Sequence, residues 1–250
     1  MAGHSKWANI QHRKGRVDAQ RGKLWTRLSR AIIVAAREGG GDPDANFRLR
    51  KAVDDAKVAS MPKDNIERAI KRGTGELEGG DLEEIVYEGY GPAGVAILCD
   101  ILTDNRNRTA PELRKLFDLH GGKMAESGAV AWMFERKGQF ILPRESATEE
   151  TLMELALENG AEDVLTSSER FEITCSPEQF DAMHLALVNA DISCESSQVT
   201  RIPQNLVELD AATARQVLKL VEALDDHNDV QNVHANFDLP EDVLAEIMSQ

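Results

Sequence analysis

Eight basic side chains crowd the first thirty residues: Lys6, Arg13, Lys14, Arg16, Arg21, Lys23, Arg27 and Arg30, against the single acid Asp18. Trp7 stands among them, with His4 and His12. Lys and Arg at this density neutralise phosphates and release condensed cations, which gives affinity for a polyanion without reading its sequence. An indole among the cations adds a surface on which bases or a folded RNA can stack. The whole chain carries −14, so this segment at +7 leaves −21 on the other 220 residues. That asymmetry points to a polyanionic partner. The competing reading is a solvated basic tail. Against it stand Trp7 and the Ala, Ile and Val spread through the segment, which suit an arm that orders on binding.

Further candidates lie along the chain. In Asp104-Asn105-Arg106-Asn107-Arg108-Thr109, Arg106 and Arg108 fall near a helix start, where the dipole favours acids instead. They point either to a phosphate contact or to pairing with a local acid such as Glu112. Asn46, Arg48, Arg50 and Lys51 on a second helix, and Arg68, Lys71 and Arg72 on a third, could also face nucleic acid.

Catalysis finds little support. The histidines at 4, 12, 120, 184, 227 and 234 form no HExxH spacing, and no serine sits in a GxSxG setting. His184 lies in an apolar helix and reads as a core or rim residue. Asp225-Asp226 reads as a solvated face or a helix end. Gly39-Gly40-Gly41 lacks the Gly-Lys-Ser/Thr of a phosphate loop, and Gly89 to Gly94 reads as a hairpin turn. The expectation is no catalytic residue, no metal ligand, no cofactor and no small-molecule substrate. Cys99, Cys175 and Cys194 are odd in number and sit in apolar surroundings, as in a reduced compartment without a disulfide frame. No apolar run approaches the roughly 18 residues of a membrane span. The N-terminus has no apolar stretch behind its charges, and although it partly fits a mitochondrial presequence, the MAGHSKW opening fits a mature N-terminus better. A cytoplasmic protein is expected.

The elements that must position these residues follow from periodicity. Leu24, Leu28, Ile32 and Ala35 recur at helical spacing until the glycine run at 39–41. Asp42-Pro43 reads as N-cap and first turn of a helix with Leu49, Val53 and Ala56 inward, and Pro62 opens a third that Gly73 ends. Residues 1–72 hold 17 basic and 8 acidic residues, a net +9, which leaves −23 on 73–250. The charge boundary coincides with a glycine-rich stretch, so a domain boundary is placed there. Beyond it, strands at 85–87 and 95–98, a helix with Leu113, Leu116 and Phe117 on one side, and a strand over Ala129–Phe134 give β-β-α-β. Residues 138–202 then supply β-α-β-β-α-β, the ferredoxin-like order. A helix at 211–224 and a strand near 230–237 are expected to complete the interrupted sheet, with a short closing helix after Pro240. The fold class is α+β: an N-terminal three-helix domain (1–75), a discontinuous α+β domain (82–136 with 205–250), and a ferredoxin-like domain (137–204) inserted into it.

Several blocks together resemble a known family. MAGHSKW (1–7), QHRK (11–14), GGGDP (39–43), RLR (48–50), PKDNIERAIKRG (62–73), YEGYGPAG (87–94), LTDNRNRT (102–109) and SGAVAWMF (127–134) are similar to the YebC/PmpR family, which includes the mitochondrial translational activator of cytochrome c oxidase. The resemblance covers nearly the whole chain, with fewer distinctive blocks beyond residue 140. It implies three domains and a cytoplasmic, non-enzymatic protein. Members are usually described as DNA-binding transcriptional regulators, and others as ribosome-associated factors that help translation through proline runs. GGGDP gives no clear helix-turn-helix, and a flexible basic arm suits phosphates and stacking surfaces of RNA. The expected partner is therefore nucleic acid, either DNA or rRNA within the ribosome. Lys6, Trp7, Arg13, Lys14, Arg16, Arg21, Lys23, Arg48, Arg50, Arg106 and Arg108 are the candidate contacts. A ferredoxin-like unit can also bind small regulatory ligands, but no convergent polar residues support that here.

Overall fold

The computed structural model describes residues 18–79, 81–167, 170–239 and 243, with side chains from residue 22 onward. The candidate contacts Lys6, Trp7, Arg13, Lys14 and Arg16, the side chain of Arg21, and the expected closing helix after Pro240 lie outside the described residues. In chain order the elements are α1 (Asp18–Gly39), α2 (Phe47–Val58), α3 (Lys63–Gly73), β1 (Glu83–Tyr90), β2 (Ala96–Thr103), α4 (Arg106–Leu119), β3 (Lys123–Met124) and β4 (Phe134–Pro143). There follow α5 (Glu149–Glu158), β5 (Ala161–Thr166), β6 (Arg170–Cys175), α6 (Phe180–Asn189), β7 (Ser196–Pro203), β8 (Val207–Glu208), α7 (Ala211–Asp225), β9 (Val230–Ala235) and β10 (Phe237–Asp238). The chain is α+β and forms two compact units. One is Trp132–Leu206; the other contains the described residues before it and those after it.

In the larger unit, α1 buries Ile32, Ile33, Val34, Ala35 and Ala36 against Leu49, Ala52, Val53 and Ala56 of α2 and Ile66 and Ala69 of α3. A Cβ at Gly73 would collide with the carbonyl of Ile33, so α3 can lie this close to α1 only because that position is glycine. The start of α2 differs from expectation. Asp42-Pro43 belongs to a turn, and the cap is Asn46: its Oδ1 accepts from Leu49 N at 3.0 Å, while its Nδ2 donates to the carbonyls of Ala35 (2.7 Å) and Gly40 (2.9 Å). One buried amide thus starts α2 and satisfies carbonyls at the end of α1.

The same unit carries a four-stranded sheet of order β3-β1-β2-β9, with β1 and β2 as a hairpin. The turn lies at Gly91–Val95, later than the glycine pattern suggested, because Gly89 and Tyr90 remain in β1. The strand expected over Ala129–Phe134 begins only at Phe134. Its preceding backbone is instead held by the buried carboxylate of Glu88, which accepts from the N–H groups of Gly128 (2.5 Å), Val130 (2.7 Å) and Ala131 (2.8 Å). Backbone donors bound to a carboxylate cannot join a ladder.

The smaller unit is an antiparallel sheet of order β5-β6-β4-β7, the ferredoxin-like arrangement, with α5 and α6 on one face. Phe140 stacks on Phe180 with centroids 4.9 Å apart, and half-buried His184 stacks beside both. Gly138 leaves the room that Phe180 and Cys175 fill.

Candidate nucleic-acid interface

The described basic residues divide into those engaged within the protein and those that face outward. Successive turns of α1 bring Lys23, Arg27 and Arg30 onto the side of the helix that meets the end of α7 and the loop after it. Lys23 Nζ lies 3.1 Å from Asp226, and Arg27 Nη1 lies 3.2 Å from Asp225. Burial raises the Asp225 carboxyl above its usual range, and Arg27 works against that rise.

Arg30 reaches furthest inward. Its Nη1 lies 2.7 Å from Asp229 and donates to the carbonyls of Asn228 (2.7 Å) and Leu102 (3.1 Å). Asp229 is 2 % exposed and also accepts from Arg108 Nη2 (2.8 Å), Thr109 Oγ1 (2.7 Å) and Thr103 Oγ1 (3.2 Å). Burial opposes its charge, but the donors prevail: Thr109, Arg108 and Arg30 hold the carboxyl down at about 2. The network answers the puzzle of arginines at a helix start. Asn105 caps α4 by accepting from Arg108 N at 3.1 Å, and Asp229, brought in from a distant loop, supplies the negative charge that its first turn lacks. Of the two alternatives for Arg108, pairing with acids is what the geometry shows, although the acids are Asp229 and Asp104 (3.1 Å) rather than Glu112. Glu112 instead meets His227 Nε2 at 2.9 Å.

Arg48 is also engaged, with Glu38 and, at 2.9 Å, with Glu84. Arg50 donates to the carbonyls of Pro43 (2.9 Å) and Asp44 (2.8 Å), closing the turn before α2. Arg106, by contrast, is exposed and meets no partner among the described residues. The same holds for Arg68, Lys71 and Arg72, which follow one another at i, i+3 and i+4 along the outer side of α3, opposite buried Ile66 and Ala69. Asp64 and Glu67 occupy the earlier turns of that helix and are exposed as well. Within α3 the unpaired outward cations therefore lie at its C-terminal end.

Residues 5–76 match the family model described as the TACO1/YebC protein N-terminal domain, and residues 82–237 match the one described as the TACO1/YebC second and third domain. The chain belongs to the TACO1/YebC family. Among its TACO1/YebC relatives is a probable transcriptional regulatory protein of Rhodopirellula baltica, 59% identical over 247 residues that span 98% of this chain and 100% of that protein. Another, from Rubrobacter xylanophilus and named in the same way, is 54% identical over 248 residues, 99% of each chain. The crystal structure of a conserved hypothetical protein from Aquifex aeolicus superposes with a TM-score of 0.84 at 49% identity, covering 94% of this chain and 97% of that one. Among the described residues, no helix is long and apolar enough to cross a membrane.

The Asp229 hub escaped sequence reasoning, and the signal was faint. Asp225-Asp226-His227-Asn228-Asp229 is a polar run that looks like any helix end. Nothing in it shows that three of its carboxylates face cations some 200 residues earlier.

Proposed function

We propose that this chain is a non-enzymatic, nucleic-acid-binding regulator of gene expression that binds duplex DNA as a transcriptional regulator. The observation that carries this reading is the charge division: +9 on residues 1–72 against −23 on the remainder. The acidic body is repelled by phosphate and orients the molecule with its basic end forward. Lys6, Arg13, Lys14, Arg16, Arg21 and Lys23 bind phosphates and Trp7 stacks. Arg68, Lys71 and Arg72 on α3 extend the contact, and Arg106 adds one from α4. Arg48, Arg50 and Arg108 hold the scaffold that presents them. The names carried by the Rhodopirellula and Rubrobacter relatives favour transcription as the process regulated.

One observation favours a second reading, binding to folded RNA in the ribosome. The α2–α3 connection spans only Ala59–Pro62, as a helix-turn-helix would, but exposed Asp64 and Glu67 occupy the early turns of α3 that would meet base edges. Carboxylates there tolerate few base contacts, whereas backbone contacts by Arg68, Lys71 and Arg72 need no groove insertion.

The test is co-sedimentation with ribosomes at near-physiological salt, with and without excess duplex DNA, for the whole chain and for a deletion of residues 2–20. Release from ribosomes into the DNA-bound fraction supports the DNA reading. Pelleting that ignores DNA and depends on residues 2–20 replaces it with the RNA reading. Binding to neither polymer overturns both.

A further inference from the structure

We infer that the outer face of α5 and α6 in the ferredoxin-like unit is a docking surface for a cationic amphipathic segment of a protein partner. The inference stands apart from the nucleic-acid reading and uses none of its residues. α5 and α6 cover one face of the sheet through Leu152, Ala156, Phe180, Met183 and Leu187, all buried. Their opposite sides should then be polar, as on an ordinary surface helix. Instead Met153 and Leu157, four residues apart on α5, are 50% and 82% exposed, and Leu185 and Val188, three apart on α6, are each 58% exposed. Scattered exposed apolar residues need no explanation, but a pair at helical spacing on each of two neighbouring helices leaves an apolar stripe along the outer side of each.

The charge around that stripe says what it accepts. The smaller unit, residues 132–206, contains fourteen acids and five bases, a net −9. Neither α5 nor α6 contains a Lys or Arg. Glu150, Glu154 and Glu158 run at i, i+4 and i+8 beside Met153 and Leu157, are exposed, and meet no partner among the described residues. Like charges at this spacing destabilise a helix, and cations brought by a partner relieve that repulsion. The field excludes the other occupants. Nucleic acid and anionic membranes are repelled, and a second copy would bring the same carboxylates against these. A helix with Leu-type anchors at i, i+3, i+4 and i+7, flanked by Lys or Arg, satisfies both the apolar stripe and its acidic border.

The test uses the whole chain and two labelled peptides of about 18 residues, both made of Lys and Leu. In one the leucines follow helical spacing, and in the other the same residues are shuffled so that no apolar face forms. Fluorescence anisotropy gives both affinities for wild type, for Leu157→Gln/Leu185→Gln, and for Glu150→Gln/Glu154→Gln. The surface binds the amphipathic peptide at least about tenfold more tightly than the shuffled one. The leucine variant removes that preference, and the glutamate variant weakens both peptides and flattens their salt dependence. Circular dichroism and thermal unfolding confirm that the exposed substitutions leave the fold intact. Equal binding of the two peptides by wild type, or a preference that survives in the leucine variant, overturns the inference.

Discussion

Asp229→Asn isolates the charge at the centre of the larger unit while keeping the shape of the side chain. Two linkages bound its cost. The carboxyl sits at about 2 against an ordinary 3.8, a difference of nearly two units. At roughly 1.4 kcal/mol per unit, the folded protein favours the ionised form by about 2 kcal/mol. Removing one partner of a buried ion pair costs about 3–5 kcal/mol, because a charge is left without compensation. Here that figure falls, since Arg108 is 42% exposed and retains Asp104 at 3.1 Å, although Arg30 is only 15% exposed. The expected loss is about 2–3 kcal/mol at neutral pH, read from urea unfolding of the two proteins side by side. The pH dependence has a definite sign. A depressed folded pKa contributes stability that is complete above the unfolded value near 3.8 and disappears as pH falls through about 2. Wild type and Asp229→Asn should therefore converge between pH about 4 and 2, with no change in their separation above pH about 5. A neutral-pH loss below about 0.5 kcal/mol, or a gap that stays constant on acidification, would refute the assignment of Asp229 as an ionised hub.

Three further outcomes follow from named contacts. Asn46→Ala removes the α2 cap and strands the carbonyls of Ala35 and Gly40, so it should cost about 2–3 kcal/mol in thermal or urea unfolding; a loss under about 1 kcal/mol would mean water replaces the amide. Glu88→Gln keeps one acceptor oxygen but turns an amide NH2 toward backbone donors from Gly128, Val130 and Ala131, and should cost about 2 kcal/mol, with faster amide exchange over residues 128–131. Replacing Arg68, Lys71 and Arg72 together with Ala should leave unfolding nearly unchanged while reducing the slope of log affinity for duplex DNA against log salt by roughly 3; an unchanged slope removes α3 from the interface.

The elements were legible because their signals are local. Apolar spacing gave the helices of the N-terminal part, and α5 starts at Glu149 because Thr148 supplies its N-cap, accepting from Thr151 N. The order of strands and helices at 138–202 was enough to imply the ferredoxin-like sheet. Errors arose where a specific side-chain hydrogen bond overrode a local preference. Ala129–Phe134 has the apolar run of a strand, yet Glu88, about 40 residues earlier, takes up its backbone donors. Asp42-Pro43 has the composition of a helix start, but Asn46 bonds both ways and sets the start later.

The candidate contacts show the same limit more sharply, because composition counts charges without showing which are already matched. Lys23, Arg27 and Arg30 belong to the most basic stretch of the chain, and each faces an acid at the end of α7 or in the loop after it. They differ in what a polyanion could do with them. Lys23 and Asp226 are 44% and 69% exposed, so their pair contributes little to stability, and a phosphate can replace the carboxylate at small cost. Arg30 is held by a buried carboxylate and two carbonyls, so moving it would leave Asp229 with fewer donors in a place where water does not compensate. The basic end of α1 is thus graded. Its outer turn can be handed to a partner, while its inner turn fixes the three-helix layer to the sheet. A salt titration should expose that grading, since added salt screens the Lys23–Asp226 pair well before it reaches Asp229.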